Sequence, residues 1–271
     1  MIRPFDDSAP ARFTAIILAG QRPGGDPLAR AHGARRKALL PVAGRPMLAH
    51  VLDALAASRW IRTLVVTIDD SAALAQISEA DALRSVGRLV FVESALTPSL
   101  SVLAAIEERP GALPALITTA DHPLLTTEIV DWFCAAAARS DADLIAALTP
   151  KTALLDAYPD TRRTFMNFAG DHYTGSNLFA IRTPAGLSAV RFWRQVEAMR
   201  KRPWRLIQAF GTAPLVHYLL GRLSLLTALR IASRRTGARV DAVICPFPEA
   251  GIDVDNAADL ELVQRILERR S

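Results

Sequence analysis

Short apolar runs alternate with helix-like segments along the first 150 residues of this 271-residue chain. Five short runs are expected to form strands, and they span residues 13–18, 63–68, 89–92, 115–119 and 143–148. The first has the pattern of a buried parallel strand. The intervening segments carry helix signals, and they span residues 47–58, 71–85, 99–108 and 127–139. Strands that alternate with helices of this length form parallel βαβ units. The alternation therefore predicts an α/β fold, a three-layer α/β/α sandwich around a mostly parallel sheet.

The second half of the chain has a different pattern. Two further strands and a closing helix are expected there, and they span residues 173–181, 239–245 and 257–269. Residues 185–235 are expected to form an added helical segment, which Pro and Gly break near residues 203, 211–214 and 221. Short polar residues are expected to cap the helices, and the candidates are Ser71, Thr126 or Thr127, and Asn256 or Asp255.

The charge is distributed unevenly, although the whole chain carries a net charge of +5. Four successive segments carry +6, −8, +11 and −4, and they span residues 1–62, 63–181, 182–239 and 240–271. A uniformly basic nucleic-acid binder would not show this pattern, and the strand-borne aromatic residues of the usual RNA-binding modules are missing, so nucleic acid is not an expected partner. Two basic segments around an acidic middle predict one or two sites for anions.

Composition narrows the class of protein further. Apolar residues make up 51% of the chain, which excludes a disordered polypeptide. The two cysteines, Cys134 and Cys245, are too few for a disulfide framework or a four-ligand zinc site, and both are expected in the core. The first residues contain no apolar stretch typical of a signal peptide, so the expected compartment is the cytoplasm.

One uncharged segment raises the question of a membrane contact. Residues 206–221 contain no Lys, Arg, Asp or Glu, but these 16 residues, interrupted by Gly211 and Pro214, are too short for a membrane span. A buried helix is expected, with an interfacial helix as the alternative. The basic segment from Arg191 to Arg205, which includes Trp204, has three interpretations: a solvated helical face, a peripheral contact with anionic lipid, or a phosphate-binding surface.

The loop after the first strand carries the main chemical signal. It reads Leu18-Ala19-Gly20-Gln21-Arg22-Pro23-Gly24-Gly25. Glycines let a backbone approach a phosphate closely, and successive N–H groups can surround it. Arg22 and Lys37 would add positive charge. A Walker A loop is excluded because Asp26-Pro27 stands where its Lys-Ser/Thr pair is required, and no G-x-G-x-x-G is present. The loop therefore predicts a triphosphate site of another kind.

A second motif follows this loop and carries a family resemblance. Lys37 precedes Leu39-Leu40-Pro41, Gly44 and Pro46-Met47-Leu48. Together with Leu-Ala-Gly, this pattern resembles the MobA-like nucleotidyltransferases, which include molybdenum-cofactor guanylyltransferase and the sugar-phosphate and alditol-phosphate cytidylyltransferases. The resemblance implies a Rossmann-like GT-A nucleotidyltransferase fold. It also implies that Lys37 and Arg22 are the catalytic cations and that the nucleotide lies against Leu18, Ala19, Gly20, Gln21, Gly24 and Gly25.

Two further stretches resemble the metal-binding motifs of this family. One is Asp121-His122-Pro123-Leu124-Leu125, and the other is Asp253-Val254-Asp255-Asn256-Ala257-Ala258-Asp259. The resemblance implies that Asp121 and Asp255 bind Mg²⁺, which takes few carboxylates and completes its coordination with water and phosphate oxygens. Asp259 is expected to support the N-terminus of the closing helix through the helix dipole.

Four other residues are assigned by the same resemblance. Gly175 and Asn177 are expected to line the pocket for the acceptor. Ser94 and Ser101 bound the segment after the third strand that is expected to contact the base or ribose.

The resemblance implies a Mg²⁺-dependent enzyme that transfers a nucleoside monophosphate from CTP or GTP to a phosphorylated sugar, polyol or cofactor and releases pyrophosphate. A GT-A glycosyltransferase that uses a sugar nucleotide and a non-catalytic nucleotide-binding protein are the alternatives. One domain is expected over residues 1–271, and a homodimer is left open. The domain would comprise a nucleotide-binding half (13–150), an acceptor-binding half (151–255) that contains the helical insertion 185–235, and a closing helix (256–270).

Overall fold

The computed structural model describes residues 12–21, 24–199 and 211–270. The strands are β1 (Phe13–Leu18), β2 (Pro41–Val42), β3 (Arg45–Pro46), β4 (Ile61–Ile68), β5 (Leu89–Glu93), β6 (Ala115–Thr119), β7 (Leu144–Pro150), β8 (Met166–Phe168), β9 (Asp171–Ile181) and β10 (Val240–Ile244). The helices are α1 (Pro27–Ala31), α2 (Met47–Ala57), α3 (Ser78–Ser85), α4 (Pro98–Glu107), α5 (Thr127–Arg139), α6 (Lys151–Ala157), α7 (Gly186–Met199), α8 (Thr212–Leu219), α9 (Leu225–Thr236) and α10 (Ala257–Arg270). Short 3-10 turns cover Lys37–Leu39, Ser71–Gln76 and Pro248–Gly251.

The main sheet has eight strands in the order β10-β7-β9-β6-β1-β4-β5, with β8 paired to β9; β2 and β3 form a separate hairpin. Neighbouring strands of the main sheet are parallel except at β9, which runs antiparallel to β6, β7 and β8. The predicted α/β fold with a mostly parallel sheet is confirmed. Because β1, β4, β5, β6 and β7 run in one direction, their carboxyl ends share one edge, which is where such sheets bind ligands.

Helices cover both faces of the sheet, and β1 shows why. Ala15 and Ile17 belong to a core cluster that includes Phe133 of α5. Ile16, between them, faces the other way and belongs to a cluster with Val102 of α4. Successive side chains of a strand point to opposite faces, so a strand covered on both sides needs an unbroken apolar run.

The closing helix α10 is packed near the carboxyl edge. Its residues Leu260, Val263 and Ile266 share a buried cluster with Leu40 and Leu124. Leu40 follows the turn that contains Lys37, and Leu124 lies in the loop after β6. The last helix is thereby fixed against the two loops that carry the predicted site residues.

One predicted helix is wrong in detail. Residues 71–85 form a 3-10 turn and then α3, and the two are separated at Ile77, whose backbone is extended (φ −120°, ψ 103°). Leu74, Ile77 and Ala80 are all buried. Their spacing is that of one apolar helix face, although the backbone does not remain helical between them.

The predicted helix caps are confirmed at two of three positions. Thr126 Oγ1 accepts a hydrogen bond from Ile129 N, and Asn256 Oδ1 accepts one from Asp259 N. Asp70, and not the predicted Ser71, accepts the capping hydrogen bond of the 3-10 turn. Both cysteines are buried, as predicted.

The helical insertion contains α7, α8 and α9 in the described part of the chain. Residues 206–210 of the uncharged segment lie outside the described residues, and α8 has no buried side chain. Val216, Leu219 and Leu220 are each more than half exposed, so the expectation of a buried helix is wrong for α8. Among the helices of the described ranges, none is long and apolar enough to cross a membrane.

Candidate active site

Several loops meet at the carboxyl edge of the sheet. Backbone hydrogen bonds continue past the strand ends, since Ala19 N donates to Thr67 O at 2.9 Å and Ser94 N donates to Ile68 O at 3.1 Å. The residues that follow β1 and β5 are therefore held beside the end of β4. The loop after β6, which carries Asp121, lies on the other side of β1.

Gly20 is required by a close approach between two of these loops. A Cβ atom at this position would lie 2.7 Å from Cβ and 2.8 Å from Oγ of Ser94, closer than real Cβ contacts occur. Any side chain at Gly20 would displace the loop after β5. The two loops predicted to contact the nucleotide are thus packed directly against each other.

Lys37 reaches into this edge and joins two carboxylates from distant parts of the chain. Its Nζ lies 2.6 Å from Asp121 Oδ2 and 2.9 Å from Asp255 Oδ1. The side chains of Lys37 and Asp121 are mostly buried, whereas that of Asp255 is 60% exposed. Burial alone would lower the pKa of Lys37, but attraction to Asp121 and hydrogen bonds to both carboxylates outweigh it and raise the pKa above its ordinary value. Lys37 is therefore charged at neutral pH.

A third carboxylate completes an acidic cluster. Oxygen atoms of Asp121, Asp253 and Asp255 lie within 4.8 Å of one another. Val254 N donates to the carbonyl oxygen of Asp121 at 2.9 Å, which fixes the segment 253–255 to the end of β6. The structure therefore brings together Asp121 and Asp255, as predicted, and adds Asp253.

The cluster fits a hard divalent cation. Mg²⁺ prefers oxygen ligands and is usually held by one or two carboxylates. Asp121 Oδ1 is buried and has no hydrogen-bond partner among the described residues. A buried acceptor without a partner is costly, so this oxygen is suited to a bound cation.

Asp253 differs from the other two carboxylates because both of its oxygens are hydrogen-bonded. Arg163 Nη1 donates to Oδ1 at 2.5 Å, and Asn177 Nδ2 donates to Oδ2 at 2.9 Å. Burial raises the pKa of Asp253 above its ordinary value; Asp121 adds to this effect and Arg163 opposes it. Asn177 thus directs its amide nitrogen to the acidic cluster, and its predicted contact with an acceptor stays a prediction.

The glycine loop is described only in part. Gln21 is half-buried, and Gly24 and Gly25 have positive φ angles of 90° and 77°, a conformation that favours glycine. Arg22 lies outside the described residues. The nucleotide contacts of these residues stay predictions.

Ser101 and Gly175 lie in contrasting surroundings. Ser101 is buried, and its Oγ accepts a hydrogen bond from Ala95 N at 2.9 Å, which holds the loop after Ser94 in place. Gly175 is exposed, and a Cβ there would meet nothing within 4 Å. Their predicted roles in nucleotide and acceptor binding stay predictions.

Sequence reasoning missed two arginines near the site. Arg36 pairs with Asp69 and lies 3.4 Å from Asp70, so it ties the segment before Lys37 to the end of β4. Arg163 contacts the acidic cluster. Its sequence signal was weak: it is one of few basic residues in a strongly acidic part of the chain, where an arginine is a candidate partner for carboxylates.

The sheet with one antiparallel strand, the glycine loop and the lysine–carboxylate centre define a Rossmann-like nucleotidyltransferase. The chain belongs to the family of MobA-like NTP transferase domains, whose model matches residues 15–243. The family resemblance noted from the Leu-Ala-Gly and Lys-x-Leu-Leu-Pro motifs is therefore confirmed.

Solved structures share this fold. A hypothetical transferase from Thermus thermophilus is 32% identical, with a TM-score of 0.75, over 92% of this chain and 99% of that chain. A CMP:2-keto-3-deoxy-manno-octonic acid synthetase complexed with CTP is 13% identical, with a TM-score of 0.56, over 97% of this chain and 100% of that chain. A 4-diphosphocytidyl-2C-methyl-D-erythritol synthase from Anaerococcus prevotii is 13% identical, with a TM-score of 0.57, over 95% of this chain and 97% of that chain. The last two similarities show the fold alone. A comparison with curated protein sequences gives no match.

Proposed function

We propose that this nucleotidyltransferase depends on Mg²⁺ and transfers a nucleoside monophosphate from CTP or GTP to a phosphorylated sugar, polyol or cofactor. The observation that carries the proposal is the Lys37 ammonium between Asp121 and Asp255, beside the loop at Gly20. Transfer of a phosphoryl-type group needs mainly positioning and neutralisation of negative charge. A lysine and a pair of carboxylates at the end of a glycine loop are suited to both tasks.

In the proposed reaction, a phosphate oxygen of the acceptor attacks the α-phosphorus in line. A new P–O bond forms while the bond from the α-phosphorus to the bridging oxygen breaks, and pyrophosphate leaves with the electron pair. An acceptor phosphate is already anionic, so no general base is required. His122, the residue after Asp121, is fully buried, and burial lowers its pKa to about 4, so it is neutral and shielded from substrate.

The proposed roles follow from position and charge. The loop from Leu18 to Gly25, with Arg22, binds the triphosphate. Lys37 neutralises charge on the α-phosphate and on the acceptor phosphate. Asp121 and Asp255 hold Mg²⁺, which when bound neutralises further charge on the phosphate oxygens.

The two alternative functions are less well supported. The GT-A glycosyltransferases have an Asp-x-Asp metal motif at the end of the middle strand, but in this chain that position reads Asp121-His122-Pro123, which has a single carboxylate. A non-catalytic nucleotide-binding protein would not need the paired contacts of Lys37 with Asp121 and Asp255.

The protein is expected to release pyrophosphate from CTP or GTP only when Mg²⁺ and a phosphorylated acceptor are both present. A coupled pyrophosphate assay with the four nucleoside triphosphates and a set of sugar, polyol and cofactor phosphates measures this. The same acceptors without their phosphate serve as matched controls. Sugar transfer from a sugar nucleotide would support the glycosyltransferase, and tight nucleotide binding with no turnover would support the non-catalytic protein.

A peripheral contact with anionic lipid is a further part of the proposal. Arg191, Trp193 and Arg194 are exposed on α7, a combination suited to an anionic membrane surface. The rest of the basic segment, residues 200–205 with Trp204, lies outside the described residues. We expect flotation with anionic vesicles at low salt and release at high salt, because salt screens the attraction. Failure to float at low salt would exclude the contact.

We also propose that residues 1–271 act as one nucleotidyltransferase domain, with the nucleotide-binding half in 13–150 and the acceptor-binding half in 151–255. The ion pair between Lys37 and Asp255 supports this division because each half contributes one partner. Both halves would then be needed for a complete site.

A further inference from the structure

An arginine outside the family motifs is buried against the acidic cluster. Arg163 lies in the loop between α6 and β8, and its side chain is only 7% exposed. Arginine is almost never buried unless its charge is paired. The partners of Arg163 therefore indicate what it does.

Arg163 joins two carboxylates and the backbone near them. Nη1 donates to Asp253 Oδ1, and Nη2 donates to the carbonyl oxygen of Asp253 and lies 3.2 Å from Asp259 Oδ1. Asp259 is itself 4% exposed, and its Oδ2 accepts a hydrogen bond from Asp255 N at 3.0 Å. A continuous set of contacts thus leads from Arg163 through Asp259 to the backbone of Asp255.

The same contacts distinguish the three clustered carboxylates. Arg163 and Asn177 together occupy both oxygens of Asp253. Asp121, by contrast, keeps a buried oxygen that has no hydrogen-bond partner among the described residues. Asp255 lies at the surface of the cluster with a 60% exposed side chain. Asp253 thus has both oxygens engaged by Arg163 and Asn177, whereas Asp121 and Asp255 are joined by the ammonium of Lys37.

We propose that Arg163 is a positioning residue for the metal site. It fixes the segment 253–255 so that Asp255 faces Asp121, and it engages Asp253 so that this carboxylate supports the site without binding the metal directly. Arg163 acts through Asp253 and Asp259, because its side chain is buried and its two terminal nitrogens contact these two residues. The inference rests on the proposed function, in which Asp121 and Asp255 hold the metal.

The planar guanidinium is essential to this role. Its two terminal nitrogens reach Asp253 and Asp259 at the same time, which a single ammonium on a flexible chain does not reproduce. Lysine at this position would keep the charge but lose the bridge. A comparison of the Arg163→Lys variant with the wild type therefore distinguishes a positioning role from simple charge neutralisation.

The test has two measurements. One is Mn²⁺ binding without nucleotide, measured by electron paramagnetic resonance. The other is the dependence of pyrophosphate release on the Mg²⁺ concentration. We expect Arg163→Met to weaken Mn²⁺ binding at least about tenfold, to raise the Mg²⁺ concentration needed for half-maximal rate by a similar factor, and to change the nucleotide KM less than about threefold. Arg163→Lys should recover only part of the loss. Arg162→Met is the matched control, since Arg162 is the exposed neighbouring arginine, and it should behave as wild type.

A second variant guards against misfolding of Arg163→Met. Asp259→Asn is nearly isosteric and keeps an oxygen that can accept from Asp255 N, but its amide nitrogen cannot accept from Arg163. We expect Asp259→Asn also to weaken Mn²⁺ binding, by a smaller factor of a few-fold. Wild-type Mn²⁺ affinity in a folded Arg163→Met or Asp259→Asn protein would overturn the inference, as would a change confined to the nucleotide KM.

The two proposals fail in different ways. A wild-type protein that binds Mn²⁺ but transfers no nucleotide would contradict the proposed function, while the Mn²⁺ affinities of the variants would still decide the role of Arg163. A wild-type protein that transfers nucleotide but binds no Mn²⁺ would overturn the positioning role, since no metal site would exist to be positioned.

Discussion

Replacing Asp121 by alanine is expected to lower kcat at least about a hundredfold, which corresponds to about 2.7 kcal/mol of transition-state stabilisation. The carboxylate contacts Lys37 Nζ at 2.6 Å and keeps a second oxygen buried and unpartnered among the described residues. Its removal deletes one of the two proposed metal ligands and one partner of Lys37. The proposed catalysis consists of charge neutralisation and positioning, so no other group would compensate. The measurement is pyrophosphate release at saturating nucleotide, acceptor and Mg²⁺.

Asp141→Ala is the matched control for this variant. Asp141 is an exposed aspartate before β7, at the opposite edge of the sheet, and its loss should leave kcat unchanged. Asp121→Ala should remain folded, because the hydrogen bond from Val254 N uses the backbone oxygen of Asp121. Cooperative thermal unfolding and an unchanged circular dichroism spectrum check this. A folded Asp121→Ala protein with a kcat within about threefold of wild type would show that the carboxylate is not a ligand in the reaction.

The parallel core could be predicted from the sequence, because strands that are buried on both faces need apolar residues at almost every position. The predicted strands 13–18 and 115–119 have the bounds of β1 and β6. In both strands every residue except the last is buried, and only threonines interrupt the apolar run, as expected for a central strand between two helical layers. The shared direction of the strands then predicts a site at their carboxyl ends, which is where Lys37 and Asp121 meet.

Apolar spacing does not specify the backbone between buried residues. The buried set Leu74, Ile77 and Ala80 fits one helix face, yet Ile77 is extended. Composition does not specify burial either. The sequence of α8 has no charged residue and therefore predicts a buried helix, but Leu219 is 74% exposed. In both cases the sequence defines which side chains are apolar but not which surface they pack against.

The site could be predicted only as far as its motifs extend. Lys37, Asp121 and Asp255 each belong to a recognisable motif, and the structure brings the three side chains together. Arg163 has no motif and lies 90 positions from Asp253, so only the folded chain reveals their contact. Residues that support a site through other side chains have no spacing rule of their own, which is why this contact was missed.

Replacing Lys37 by methionine is expected to have two effects of opposite direction. Turnover should fall at least about a hundredfold, because in the proposed reaction negative charge develops near the α-phosphate, where the positive charge of Lys37 is lost. Mn²⁺ binding without nucleotide should become at least about tenfold tighter, because the ammonium that competes for Asp121 and Asp255 is removed. The contacts of 2.6 and 2.9 Å place Lys37 Nζ on Asp121 Oδ2 and Asp255 Oδ1, so the ammonium neutralises the same two carboxylates that are proposed to hold the metal. The Lys37→Met variant should therefore bind Mn²⁺ more tightly than the wild type and turn over more slowly.

The magnitude of the second effect follows from the charges involved. Two unit charges about 4 Å apart interact by about 4 kcal/mol at an effective dielectric constant of about 20. A tenfold gain in affinity needs only about 1.4 kcal/mol, which leaves room for screening by solvent at the exposed side of Asp255. Lys37→Arg keeps the charge, so it should not tighten Mn²⁺ binding. Arg139→Met is the matched control, because it removes a positive charge from the exposed C-terminal end of α5, away from the loop that carries Asp121. This variant should change neither the turnover nor the Mn²⁺ affinity.

The pair of measurements distinguishes two roles for Lys37. If Lys37 both balances the carboxylates before the metal binds and neutralises phosphate charge afterwards, metal affinity and kcat change in opposite directions. If Lys37 contacts only the ground-state phosphates, the nucleotide KM rises while kcat and the Mn²⁺ affinity remain at wild-type values. If the ammonium stays with Asp121 throughout the reaction, its removal weakens the positioning of that carboxylate, and both metal affinity and kcat fall. Only the first outcome agrees with a lysine that passes from the carboxylates to the phosphates when the metal binds.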